Sequence, residues 1–394
     1  MFKNNKNLLI IALIAIVNAL GYGIIIPILY SYSQQFGLTD FQNGLLFALF
    51  SICQFISTPF IGRMSDKYGR KPLLVISLAG TAISFFMTAF APNVFILFLA
   101  RALDGFTAGN IPVASAVISD TTTEKDRARG FGIIAASFGF GFVFGPAIAA
   151  ITVGISSALP FIIAGVISTL AVIITAIFLP ETNKHIGEVR GGKLFDFSKL
   201  YHALFDKTIA STLLISLFFF FAFSCAILYG FQPFTTKVLH LKETEIAALF
   251  MLFGVVGLLA QLFLVPRVSK WFGLKRAYTS AFIAVSIIFL LMFFTRDIWV
   301  FAGLSILLGL SNALIQPLTL TILSKETDMK SQGTIMGINA SYMSIGQIFG
   351  PIAGGAIATI AVPYPFLAGA LIMLVCVWLS TTVLKTEEAK ENAF

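Results

Sequence analysis

Arg101 and Asp104 are the two residues of this chain best placed to do chemistry. They stand three apart inside an apolar run from about Val94 to Ser119, and no other run of that length holds a charge deep within it. A charge at the centre of a bilayer costs roughly 2.5–3.5 kcal/mol on insertion scales, so its presence there points to function. On a helix, positions i and i+3 share a face, and the carboxylate and guanidinium can pair. The chemistry open to such a duo is proton transfer. An acid that titrates near 3.9 in water can carry protons at neutral pH only when its hydration and its distance from the guanidinium change between states. A structural ion pair that pins the helix to a neighbour is the other reading. In both readings the charges must face protein or water, not lipid. His185, His202 and His240 all fall outside the apolar runs.

The surrounding elements follow from composition. The 394 residues are 58% hydrophobic and 11% charged, with a mean hydropathy of +0.93, which marks an all-α, polytopic membrane protein. Forty-two Phe suit lipid-facing surface, and 32 Gly suit close helix contacts. Apolar runs of span length lie near 8–30, 42–61, 73–91, 94–119, 130–154, 160–179, 208–230, 245–265, 277–295, 298–323, 333–358 and 363–384. The polar stretch 181–207 divides them six and six, giving lobes at 1–180 and 208–394 joined by a linker. With the N-terminus inside, 22 of the 26 Lys and Arg fall on the cytoplasmic side and 3 outside, which puts both termini in the cytoplasm. The net charge of +8 is therefore a topology signal and not a nucleic-acid footprint. Cys53, Cys225 and Cys376 lie in apolar runs without paired spacing, so neither a disulfide nor a metal site is expected. The first apolar run follows Lys3 and Lys6 but is too long for a signal peptide and reads as the first span.

The halves repeat. The loop Gly62-Arg-Met-Ser-Asp-Lys-Tyr-Gly69-Arg-Lys71 precedes Pro266-Arg-Val-Ser-Lys-Trp-Phe-Gly273-Leu-Lys275 by 204 residues, and Gly141-x-x-x-Gly145-Pro146 precedes Gly346-x-x-x-Gly350-Pro351 by 205. Two separate stretches at nearly one offset identify a duplication of six spans, the plan of two-lobed transporters.

At these residues the chain resembles the major facilitator superfamily, and within it the twelve-span drug:proton antiporters, most of all the tetracycline-efflux type. The loop 62–71 is similar to the family's signature loop between spans 2 and 3. Arg101-Ala-Leu-Asp104-Gly105 is similar to its span-4 motif, and Gly141-x-x-x-Gly145-Pro146 to its span-5 antiporter motif. The chain departs from that pattern in several places, and among them it lacks the acids that tetracycline exporters carry in span 3 and in the second half. Asn18 stands where tetracycline exporters carry a span-1 acid, and Ala149-Ala150 stand where the span-5 motif usually ends in Gly-Gly, which the second half keeps as Gly354-Gly355. The resemblance implies twelve transmembrane helices in two pseudo-symmetric six-helix bundles. It also implies proton-coupled export of amphipathic small molecules by alternating access, with the Arg of the span-4 motif in proton coupling. No enzyme activity and no cofactor are expected, the proton gradient being the energy source. Small-molecule substrate, protons and the bilayer of an inner (plasma) membrane are the expected partners of a monomer.

Roles follow for named residues. Gly62 and Gly69 should allow the reversal between spans 2 and 3. Asp66 should pair with Arg70 and with a helix N-terminus, and Asp120 should bond Arg70 or Arg63, with Lys71 facing the anionic leaflet, as a latch. Gly141, Gly145 and Pro146 should bring span 5 against span 8, and Gly346, Gly350 and Pro351 span 11 against span 2. A substrate cavity at the midplane should draw on Asn18, Tyr22, Gln54, Asn110, Tyr229, Gln232, Gln261, Asn312, Gln316, Asn339 and Tyr342. A metabolite or siderophore porter, and a receptor that binds without transporting, remain open alternatives.

Overall fold

The computed structural model describes residues 2–122, 124–184, 186–187, 197–206, 208–328 and 331–384. Residues 185, 188–196 and 207 of the expected linker and the last ten residues lie outside the described residues. Twelve long helical segments carry the fold: α1 (Phe2–Ile25), α2 (Asp40–Tyr68), α3 (Arg70–Ala89), α4 (Val94–Thr121), α5 (Glu124–Val153), α6 (Leu159–Phe178), α7 (Ala210–Lys237), α8 (Glu243–Phe272), α9 (Leu274–Phe294), α10 (Ile298–Lys325), α11 (Gln332–Ala358) and α12 (Tyr364–Ser380). Among the described residues ten helices are long and apolar enough to cross a membrane. Of the other two, α11 is diluted by Gln332, Asn339, Tyr342 and Gln347, and α12 is 17 residues long.

The chain divides into two compact units. One comprises Met1–Leu38, Leu49–Phe195 and Lys242–Met251, the other Thr39–Ala48, Asp196–Leu241 and Leu252–Phe394. Each unit therefore takes a short stretch from the opposite half of the chain, the first turns of α2 going to the second unit and those of α8 to the first.

The first unit's core is aliphatic: Ile11, Ile14 and Ala15 of α1 meet Leu74 and Leu78 of α3 and Val117 and Ile118 of α4. Lipid tails are as apolar as these side chains, so close packing rather than water exclusion holds the helices together. In the second unit the aromatic rings of Phe234, Phe301 and Phe366 pack together where α7 ends and α10 and α12 begin, with centroids 5.1–6.1 Å apart.

The duplication reaches beyond the motifs seen in sequence. Gly69 (φ +104°) and Gly273 (φ +73°) both turn the chain in the left-handed region just before α3 and α9. Asn93 caps α4 through Ile96 N, at 3.1 Å. Asp297, at the same 204-residue offset, caps α10 through Trp299 N and Val300 N, at 2.8 and 2.9 Å. Leu159-Pro160-Phe161 opens α6 as Tyr364-Pro365-Phe366 opens α12, with proline in the first turn where its missing N–H costs nothing. Before α7, Asp206 accepts from the Thr208 amide and hydroxyl. The hydroxyl bond above all holds its carboxyl below the usual range, so this contribution to stability is present above the ordinary carboxylate pKa and lost as pH falls.

Candidate functional site

α4 presents the charged pair on its first straight piece, Val94–Thr107, before a break at Ala108–Gly109. Arg101 Nη1 donates to Asp104 Oδ2 at 2.9 Å, and the two residues are 6% and 7% exposed. The pairing expected from the i, i+3 spacing is present. The guanidinium also lies over the Phe50 ring of α2, 4.7 Å from its centroid, and Tyr22 of α1 meets the same ring edge-on at 5.1 Å. Phe50 was not foreseen, because nothing in sequence separates this Phe from the other forty-one. Arg101 Nε is buried without a hydrogen-bond partner. The guanidinium thus keeps one N–H without a protein acceptor at a buried site, a costly arrangement for a group with a purely structural task.

Four of the expected cavity residues join this seam. Asn110, just past the break in α4, donates to Asn18 Oδ1 of α1 at 3.2 Å, and Asn18 in turn donates to Ile14 O at 2.9 Å. Gln54 of α2 reaches the Ala108 carbonyl at 3.5 Å, the carbonyl that the break leaves short of a helical partner. Asn110 Oδ1 is buried and unpartnered. Tyr22 completes the set one turn along α1 from Asn18.

The remaining cavity candidates belong to the second unit. Gln316 and Asn339 line a small pocket with Ser216, Phe219, Thr319 and Met343, which encloses about 220 Å³, part of it open to solvent. Ser216 donates to Asn339 Oδ1 at 2.6 Å. Tyr229 sits in a π-helical stretch of α7, Ser224–Gly230, and donates to the Asp40 backbone carbonyl at 2.7 Å. Beside it Lys237 Nζ lies 2.9 Å from both carboxylate oxygens of Asp40, an ion pair missed in sequence although Lys237 was one of three cations placed outside. Gln232 is fully buried, Asn312 half-buried and Gln261 exposed in the π-helical turn Ala260–Leu264 of α8. Tyr342 donates to Leu200 O of a short linker helix, at 2.9 Å. Its hydroxyl is thus committed to structure.

The loop 62–71 holds the expected ion pairs with a different geometry at its ends. Arg70 Nη1 donates to Asp66 Oδ1 at 2.6 Å and to Ser65 Oγ at 2.7 Å, and Arg70 Nε donates to Asp120 Oδ2 at 3.2 Å. Arg70, not Arg63, takes Asp120; Arg63 and Lys71 are half-buried. Gly62 does not make the reversal: it lies inside α2, and a Cβ there would meet nothing within 4 Å. Gly69 alone turns the chain. Nor is it Asp66 that serves the helix N-terminus. Glu181, just past α6, accepts from Arg70 N at 2.9 Å and Lys71 N at 3.1 Å, the first free amides of α3. Asn183 adds a bond to Asp66 O at 3.0 Å. A Cβ at Gly69 would strike the Glu181 carboxylate, so the turn and its cap exclude any larger residue. Glu181→Ala should cost about 1 kcal/mol, because the site is exposed and salt weakens it. A fall in thermal midpoint that shrinks in high salt would verify this; no change would remove Glu181 from the latch.

The glycine motifs bring backbones together. A Cβ at Gly145 would lie 2.7 Å from Gly23 Cα, and Gly141 abuts Ala19 and Leu20, so α5 packs on α1. A Cβ added at Gly346 or Gly350 would lie 2.5 Å from Leu217 O or 2.6 Å from Phe221 O of α7. The expected approach to α2 is made by the end of the motif: Pro351 O and Gly355 both face Gly44, where a Cβ at Gly355 would lie 3.0 Å from Gly44 Cα. The spacing announces that a backbone must come close, and the repeat makes both motifs choose the first helix of their own half.

Known proteins resemble the chain over most of its length. The family model described as Major Facilitator Superfamily matches residues 11–242 and 213–394. Multidrug resistance protein 1 of Bacillus subtilis (strain 168) is 31% identical over 371 residues, 93% of each chain. Tetracycline resistance protein, class H, of Pasteurella multocida is 31% identical over 375 residues, 91% of each. The solved nucleoside transporter NupG shares the fold with a TM-score of 0.78 at 14% identity, over 96% of this chain and 99% of that one. Family match, long relatives and twelve-helix architecture agree, and the chain belongs to the Major Facilitator Superfamily as a multi-pass membrane transporter.

Proposed function

We propose that this transporter is a proton-coupled exporter of amphipathic, neutral or weakly cationic small molecules. It works by alternating access in an inner (plasma) membrane with both termini cytoplasmic. The observation that carries the reading is the buried Arg101–Asp104 pair with its spare guanidinium donor, set among Tyr22, Phe50, Asn18 and Asn110. In this reading Asp104 takes and releases the proton and Arg101 governs when it can. The Arg70–Asp66–Asp120 cluster is a latch that holds one facing state. Aromatic rings and amides, with one counterbalanced charge pair, suit an amphipathic ligand better than a phosphorylated anion, which would call for several buried cations. Relatives named for multidrug and tetracycline resistance support export. The proton gradient supplies the energy, no resident cofactor takes part, and a single chain suffices.

Purified protein in liposomes with an imposed pH gradient tests this. A fluorescent amphipathic cation should move against its own gradient, opposite in direction to the proton flow, and stop when the gradient is collapsed. Binding without flux would make the protein a receptor, and co-directional flux would make it an importer.

A further inference from the structure

The linker helix Phe197–Ala203 packs one face against the second unit. Leu200, Ala203 and Leu204 pack into a cluster with Leu213 of α7, Leu323 of α10 and Tyr342 of α11, and the Tyr342 hydroxyl bonds Leu200 O at 2.9 Å. These contacts fix its level. Leu213 is in the first turn of α7 and Leu323 in the last turn of α10. Tyr342 lies ten residues into α11, about 15 Å along it, and its side chain leans back toward the Gln332 end. The short helix therefore lies beside the ends of three spans, where apolar helix gives way to polar loop. On its free side Tyr201 and Phe205 are 61% and 67% exposed, with ring centroids 5.0 Å apart. Lys199 and His202 are exposed on the other flank.

We propose that Tyr201 and Phe205 form an interfacial anchor, seated among the phospholipid headgroups of the leaflet that faces the linker. Large rings with one wet edge are enriched at that depth, because the ring leaves water while its rim keeps polar contacts. Lys199, and His202 when protonated, give the helix a positive margin that matches anionic headgroups. The anchor ties the linker to the second unit from one side and to the bilayer surface from the other.

Site-directed spin labelling tests the anchor on the full chain in nanodiscs of mixed anionic and zwitterionic phospholipid. Cys53, Cys225 and Cys376 are buried, so a surface cysteine takes the label selectively. Labels at Tyr201→Cys and Phe205→Cys should collide with oxygen, which concentrates in lipid, several-fold more relative to a water-soluble nickel chelate than a label at Lys199→Cys does. Equal ratios at all three positions would place the rings in water and overturn the proposal. Shielding of 201 and 205 from both colliders would mean that protein, such as a second copy, covers them, and would overturn it equally.

Discussion

Asp104→Asn abolishes accumulation against a gradient and the response to imposed pH, while energy-independent exchange of substrate continues. The variant keeps an acceptor for Arg101 Nη1, which now sits 2.9 Å from Asp104 Oδ2, but removes the group that can ionise. It also leaves a guanidinium that is 6% exposed without a counter-charge, and breaking such a pair costs about 3–5 kcal/mol. Loss of fold must therefore be separated from loss of coupling. Replacing both partners, Arg101→Met with Asp104→Leu, removes the unpaired charge and should recover most of the thermal midpoint, since apolar substitutes for buried pairs are often neutral or stabilising. The two readings of the pair then part. If it only pins α4 to its neighbours, the double variant regains transport together with stability. If it carries the proton, the double variant is stable and uncoupled. Full coupling in Asp104→Asn would move the proton site elsewhere.

Gly145→Val should prevent stable folding, whereas Gly62→Ala should be neutral or slightly stabilising. The obstacle at Gly145 is backbone: a first carbon there would lie 2.7 Å from Gly23 Cα and 2.9 Å from Ile24 N. Backbone cannot rotate away as a side chain does, so the usual 1–3 kcal/mol of overpacking is a lower bound and α5 must separate from α1. Gly62 is the opposite case, a glycine within α2 and with nothing in reach, where alanine gains about 1 kcal/mol of helix preference. Thermal midpoints of the two purified variants measure both effects. A well-folded Gly145→Val would show that α1 and α5 separate without cost.

The contrast between these glycines shows where sequence stops being legible. Hydropathy gave the twelve segments, since each run had to satisfy its backbone internally in lipid. The 204- and 205-residue offsets gave the duplication, and the caps at Asn93 and Asp297 extend it. Arg101 and Asp104 stood out because charge in an apolar run is conspicuous. Partner choice was hidden. Gly-x-x-x-Gly states that some backbone comes close without naming it, and at Gly141 and Gly145 the structure supplies α1. Glu181 was hidden too: it reads as one acid in a mixed-charge stretch, and its task appears only when the end of α6 returns beside α3.

The bond from Glu181 to the amides of Arg70 and Lys71 spans more than a hundred residues. While the chain is being made, those two amides therefore gain their cap only after the end of the sixth span has left the ribosome. The tight turn at Gly69 is finished by the segment of this half that is synthesised last.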